Sequence, residues 1–153
     1  MTGSRGSRHR GTITRMPGDT DLDRLLTGME PLLHPRRYVW VGDLPDGVEA
    51  LATIREDEGL SAIVTADDAD AHGLAGAFPC AGITLRVHSA LEAVGFLAAI
   101  ARALTDAGIS TNAVAGFHHD HLFVPWERRH DAMAALQRVS GAVKTRRPDV
   151  DDA

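Results

Sequence analysis

Hydrophobic residues fall along this chain in short runs of two different spacings, and the clearest runs lie in its second half. Ile83, Leu85 and Val87 alternate with Thr84, Arg86 and His88, the two-residue period of a strand with one buried face. Ser89-Ala-Leu-Glu92 follows and reads as a capping box, in which the hydroxyl accepts from the third helical N–H while the carboxylate reaches back. Val94, Leu97, Ile100, Ala101 and Leu104 then recur at helical spacing, predicting a helix from near Leu91 with those residues on its buried face. Gly108 ends it, as glycine suits the left-handed position after a helix. Thr111 to Phe117 and His119 to Val124 read as two further short strands. Pro125 then opens a last helix at a position where its missing N–H forfeits no helical bond. Ala132, Leu136 and Val139 supply that helix's buried stripe.

The first half has a weaker pattern. Leu25, Leu26 and Met29 suggest a short helix starting near Asp21. Tyr38-Val-Trp-Val41 is a compact strand-type run after the turn-prone Pro35-Arg-Arg37. Leu51 to Arg55 and Leu60 to Thr65 flank Glu56-Asp-Glu-Gly59 and read as a β-hairpin, with Gly59 free to take positive φ. Asp67 to His72 looks like a short helix ended by Gly73. The expected organisation is a disordered basic tail over 1–20, an N-terminal half over 21–80, a second domain over 81–141 and a disordered tail over 142–153. Met16 is an alternative first residue.

Composition narrows the functional classes. The 153 residues are 44% hydrophobic and 24% charged, with a net charge of -5. That balance argues against a binder that neutralises nucleic-acid phosphates. Apart from Phe117 and Phe123, the later strands lack the aromatics that RNA stacking uses. Cys80 is the single cysteine, which excludes an intramolecular disulfide and suits a reducing cytoplasm. No apolar run approaches the roughly 20 residues that span a bilayer. The four arginines at 5, 8, 10 and 15 come without the apolar stretch of a secretory signal.

The order strand, helix, strand, strand, helix makes the second half an α+β sandwich with helices on one face of an antiparallel sheet. Within it, Ile83-Thr-Leu-Arg-Val-His-Ser89, Val94-Gly-Phe96 and Leu104-Thr-Asp-Ala-Gly-Ile-Ser110 resemble an ACT domain. Phe117-His-His-Asp-His-Leu-Phe-Val-Pro125 is similar to the second hairpin strand of a family of small bacterial stand-alone ACT-like proteins. Leu25-Leu-x-Gly-Met29, Leu33-His-Pro35 and Ala52-Thr-Ile-Arg-Glu-Asp-Glu-Gly59 resemble its upstream half. The resemblance covers about residues 22–139 and implies two tandem halves of ferredoxin-like βαββαβ type. The first half departs from that pattern. Only Gly42 to Gly47 lies between Val41 and the next run, too few residues for a full first helix, so the half is truncated or shares a strand with its neighbour.

The resemblance implies a regulatory protein that binds an amino acid or related metabolite, has no catalytic activity or cofactor, and forms a homodimer by sheet extension or helix packing. The helix start expected after His88 would aim its N-terminal amides, those of residues 90–95, at a carboxylate. Gly95 would let a ligand or a neighbouring backbone approach that turn. By analogy with ACT-like sites, acceptors for the ammonium would come from Ser110, Thr111 and Asn112. The expected ligand-binding set is therefore His88, Ser89, Ala90, Leu91, Gly95, Ser110, Thr111, Asn112, His119 and His121.

Other chemistries find less support. On a strand, His119 and His121 point to one side, roughly 6.6 Å apart. With His118 and Asp120 they raise the alternative of a metal site, although a usual site needs a third ligand. Cys80 follows Phe78-Pro79 in an expected connector, with no cationic surroundings to activate it. Ser89 has His88 beside it, but adjacent strand residues face opposite ways. There is no Gly-x-Ser-x-Gly, phosphate-binding glycine loop or dinucleotide fingerprint. Glu56-Asp-Glu58 reads as a solvated hairpin tip, and Trp40 and Trp126 as packing anchors. A ligand-free protein-interaction module is the remaining alternative.

Overall fold

The structure, a computed structural model, describes residues 18–146. Both expected tails lie largely outside this range, as does Met16. Helix α1 (Leu22–Gly28) is capped by Asp21, whose carboxylate accepts from the Arg24 N–H at 2.9 Å. It leads into β1 (Glu30–Val41). Strands β2 (Ala52–Glu56) and β3 (Gly59–Thr65) form the predicted hairpin, and Thr65 caps the short α2 (Ala66–Ala71). After these come β4 (Ala77–Arg86), α3 (Phe96–Asp106), β5 (Asn112–Ala115) and β6 (Asp120–Pro125). A 3₁₀ turn over Trp126–Arg128 leads into α4 (Arg129–Arg146).

All six strands join one antiparallel sheet in the order β2-β3-β1-β4-β6-β5. The fold is the α+β sandwich that the sequence predicts. The order contains the same motif twice: β2-β3-β1 is completed by β4, and β5-β6-β4 is completed by β1. Each half thus lends its first strand to the other. The first half is also short of a helix, because residues 42–51 between β1 and β2 form only turns and bends. Helix α1 packs on α4 and α3.

One face of the sheet carries the helices. Ala81, Ile83 and Leu85 of β4 and Leu122 and Val124 of β6 pack against Phe96, Ile100 and Leu104 of α3 and Ala132 and Leu136 of α4. Val39, Val41, Ala62 and Val64 form a second cluster with Ala69 of α2. Each fully buried Leu, Ile or Phe contributes roughly 1.5–3 kcal/mol. The opposite face holds Tyr38, Ile63, Cys80 and Phe123. Tyr38 and Trp40 both meet Phe123 edge-on, an arrangement favoured by the ring quadrupoles. Covered on both sides, β4 buries every residue from Cys80 to Leu85, including Thr84, where the alternation predicts one wet face.

Several local expectations give way to tertiary contacts. Pro35 does not break β1: the register with β4 slips between Leu33 and Arg37, so the strand bulges there and continues. Cys80 lies within β4, fully buried, and not in a connector. Pro125 ends β6, and the helix begins only after the 3₁₀ turn. Residues 18–20 belong to the fold, and α4 runs on to Arg146 through residues expected in the tail.

The largest correction concerns the capping box. Ser89 does not cap a helix, and α3 starts at Phe96, five residues later than expected. Asp19 forms a parallel bridge with Ser89, donating to the His88 carbonyl at 2.9 Å and accepting from Ala90 N–H at 3.0 Å. A side chain on Gly18 would run into the Ser89 and Ala90 backbone, so glycine permits this approach. Ser89 and Ala90 are thereby held in a strand-like strap, and Gly95 becomes the helix cap, with φ at +89°. The buried stripe of α3 is consequently Phe96, Ile100 and Leu104. Val94 is 85% exposed and Leu97 is 41% exposed, against expectation.

Candidate functional site

The strap at 88–90, the first turn of α3 and the end of the β5–β6 hairpin line a half-open cavity of about 180 Å³. Ser89, Ala90 and Ala93 line it from the loop, Phe96 and Leu97 from the helix, and Ala115, Gly116 and Asp120 from the hairpin. Its walls are mainly apolar, and Asp120 is the one ionisable side chain among them.

The helix end at this cavity has no side-chain cap, because Gly95 supplies none. The first intrahelical bond shown at this end runs from Ala99 N–H to the Gly95 carbonyl at 2.9 Å. The amides of Phe96, Leu97 and Ala98 therefore carry the partial positive charge of the helix start without an internal acceptor. At the other end of α3, Arg128 donates to the carbonyls of Ala107 and Gly108 at 3.2 and 3.4 Å, closing that terminus with a cation.

Asp120 stands on the opposing wall. Burial pushes its carboxyl above the ordinary carboxylate range, against the opposing pull of His121, the Ser89 hydroxyl that hydrogen-bonds it, and His119. Among the described residues no Lys, Arg or His forms an ion pair with it.

Of the ligand-binding residues expected from sequence, Ser89, Ala90 and Leu91 line this cavity, and Gly95 is the cap next to it. The Ser89, Ala90 and Ala93 amides are already bonded, to Val87, Asp19 and Ala90 respectively. The donors left for a carboxylate are accordingly those of the true helix start. Ser110, Thr111 and Asn112 lie at the other end of β5, since Asn112 pairs with Phe123 while Ala115 pairs with Asp120. About 10 Å of strand separates them from the cavity. His88 is exposed, with its ring 6.2 Å from that of His118. His119 sits in the turn before β6, its Nδ1 3.4 Å from the Val87 carbonyl.

His121 belongs to a different constellation, on the helix-free face of the sheet. Its Nδ1 lies 3.0 Å from the Thr84 hydroxyl, and His34 Nε2 lies 2.7 Å from the same oxygen. The three residues come from β6, β4 and β1. Burial holds both imidazoles below their ordinary pKa, and for His121 the nearby His34 and His119 add to the effect, opposed by Asp120. Among the described residues no group of three or more His, Cys, Asp or Glu side chains is placed to hold a metal ion. Cys80 is buried and its thiol is pushed up to about 12 by that burial, so it is a poor nucleophile. No helix among the described residues is long and apolar enough to cross a membrane.

Sequence reasoning missed Phe96, Leu97, Ala115, Gly116 and Asp120 at the cavity, and His34 and Thr84 on the other face. The Phe117–Pro125 segment did single out Asp120, but as one of four polar neighbours. Nothing in the sequence pairs it with Ser89.

Comparison with known proteins places this geometry. Two family matches, each described as an ACT domain, lie in tandem over residues 17–81 and 78–138. They overlap at the start of β4, the strand that both halves use. A crystal structure of a Vibrio cholerae protein of unknown function, described as a possible transport protein, is 40% identical. The match covers 78% of this chain and 95% of that one, with a TM-score of 0.70. An Agrobacterium tumefaciens protein matches at 16% identity and a TM-score of 0.60, over 73% of this chain and 89% of that chain. The ligand-free regulatory subunit of aspartate kinase from Thermus thermophilus shares the fold at 12% identity and a TM-score of 0.56, over 71% of this chain and 95% of that one. No curated protein matches the chain.

Proposed function

The chain belongs to the ACT-domain family, and from that premise we propose that it is a regulatory protein that binds an amino acid in the cavity under α3 and has no reaction of its own. The observation that carries this reading is the uncapped start of α3 meeting the cavity, with the Asp120 carboxyl on the facing wall. A carboxylate bound at the Phe96, Leu97 and Ala98 amides would complete the helix as a side-chain cap otherwise would. The fold shared with a kinase regulatory subunit supports a regulatory role. A cytoplasmic setting suits the free Cys80 thiol.

The homodimer reading is attached to the same place. Leu91, Val94 and Leu97 are 59%, 85% and 41% exposed around the cavity mouth, an apolar rim that a second copy would cover. The alternative, a protein-interaction module without a small ligand, draws on that same rim. The division into two ACT-like halves is taken to fall at β4.

A thermal-shift screen of the full chain against the twenty amino acids tests the proposal. A ligand at 100 times its Kd adds about 2.7 kcal/mol, which for a protein of this size raises Tm by several degrees. Leu97→Asp should abolish the shift, measured against that variant's own unliganded Tm: a carboxylate in the first helical turn takes up the helix dipole and repels a bound carboxylate. If no amino acid raises Tm, the ligand reading is wrong and the interaction module takes its place.

A further inference from the structure

We infer that Gly18 and Asp19 latch the start of α3: when they release the strap, Ser89 caps a longer helix that begins at Ala90 instead of Phe96. Its bearing on regulation rests on the reading of the neighbouring cavity as the functional site, but the two-state element itself stands on backbone geometry and needs no ligand. Few bonds hold the strap. Asp19 N–H donates to the His88 carbonyl at 2.9 Å, Ala90 N–H donates to the Asp19 carbonyl at 3.0 Å, and the Ser89 hydroxyl bonds Asp120. The approach is possible only because residue 18 has no side chain: a Cβ there would stand 2.6 Å from the Ser89 carbonyl carbon. Leu91 and Val94 add little packing to this path, being 59% and 85% exposed.

The competing state is written into the same residues. Ser89-Ala-Leu-Glu92 is a capping box that the latched structure leaves unused. With Ser89 as the cap, its hydroxyl accepts from the Glu92 N–H, and the Glu92 carboxylate lies in the first turn, where the helix end is positive. The present start has neither advantage: Gly95 supplies no side-chain cap, and the first turn contains no acidic residue. Ala93 N–H already donates to the Ala90 carbonyl at 2.9 Å, a turn from which a helix can propagate. Extension would give the Phe96, Leu97 and Ala98 amides the internal acceptors they lack, the carbonyls of Glu92, Ala93 and Val94. Gly95 serves both states, because glycine takes the left-handed cap at φ +89° and the helical conformation alike. Release thus exchanges long-range backbone bonds for local ones. It also withdraws Ser89, Ala90, Leu91 and Ala93 from the cavity wall and the Ser89 hydroxyl from Asp120, so the latch controls the shape of the site.

Backbone NMR of the full chain without ligand tests this, with Gly18→Ala as the perturbation, since one methyl group at that position collides with the strap. The expected result is roughly tenfold faster amide exchange at Ala90 and roughly tenfold slower exchange at Phe96, Leu97 and Ala98. The Cα shifts of residues 90–94 should move together in the helical direction. Adding Ser89→Ala should remove the helical shift while the strap stays open, because the cap is then lost. Unchanged protection of Ala90 in Gly18→Ala would overturn the inference. So would an opened strap whose residues 90–94 turn to coil, or a helical shift that survives Ser89→Ala. Should Gly18→Ala fail to fold, Asp19→Pro deletes the N–H donated to His88 and is read in the same way. These outcomes leave the amino-acid reading untouched, and a failed amino-acid screen leaves the latch untouched.

Discussion

Replacing Thr84 with valine is a near-isosteric change at a position only 6% exposed, and its effect can be worked out from the hydrogen bonds it deletes. The Thr84 hydroxyl has one proton and can accept as well, so it donates to one imidazole and accepts from the other. Two neutral rings, His34 at 2.7 Å and His121 at 3.0 Å, satisfy it completely. Valine fills the same space and leaves His34 Nε2 and His121 Nδ1 without that partner. A buried polar atom left unsatisfied costs about 1–3 kcal/mol. Both rings are only partly buried, so water can replace some of the loss. A total of about 1–2 kcal/mol follows for the pair, or a fall in Tm of roughly 2–8 °C. Urea denaturation at pH 7.5 would read it as a lower midpoint at unchanged m.

The same cluster sets the sign of a pH dependence. Both histidines have folded-state pKa values below the unfolded value of 6.5. The unfolded chain therefore binds more protons in this range, and stability rises with pH. The contribution is full above about pH 6.5 and is lost as the pH falls through the two folded-state values. Asp120 acts in the opposite sense: its raised pKa favours the fold below the ordinary carboxylate range and works against it as pH rises through the folded value. Comparing the chain with His34→Gln and His121→Gln from pH 7.5 to 5 isolates the imidazoles. The reasoning is refuted if Thr84→Val leaves the urea midpoint unchanged at pH 7.5. It is refuted equally if the two glutamine variants lose stability in acid as steeply as the parent does.

Other consequences can be checked separately. Gly95→Ala forces an L-residue to φ +89° and should cost about 1–2 kcal/mol, read as a lower Tm. The Cβ itself would meet Leu22 no closer than 3.4 Å, so the loss is conformational. Ile100→Ala empties a fully buried position between α3 and the sheet and should cost about 2–5 kcal/mol by chemical denaturation. Cys80, fully buried with its thiol pushed up to about 12, should resist a thiol reagent at pH 8 in the folded protein and react at once in denaturant. Rapid reaction of the native protein would contradict the position of β4.

The sequence by itself was enough for the elements whose causes are local. The β2–β3 hairpin follows from the apolar runs around Glu56 to Gly59, and the α+β class from the order of periods between Ile83 and Val139. The missing first helix could be read from the short Gly42–Gly47 interval. The tertiary structure decided where long-range bonds compete with local preference. Ser89 and Glu92 spell a capping box, yet the backbone of Asp19 claims Ala90 first and the helix waits for Gly95. Thr84 alternates as a surface residue, yet His34 and His121, 50 and 37 positions away, close over it. Asp120 met Ser89 only because β6 and the end of β4 lie side by side in the sheet. Local propensity is worth tenths of a kcal/mol per residue, less than one buried hydrogen bond or strand pairing contributes. The site was therefore assembled by contacts that no short window of sequence contains.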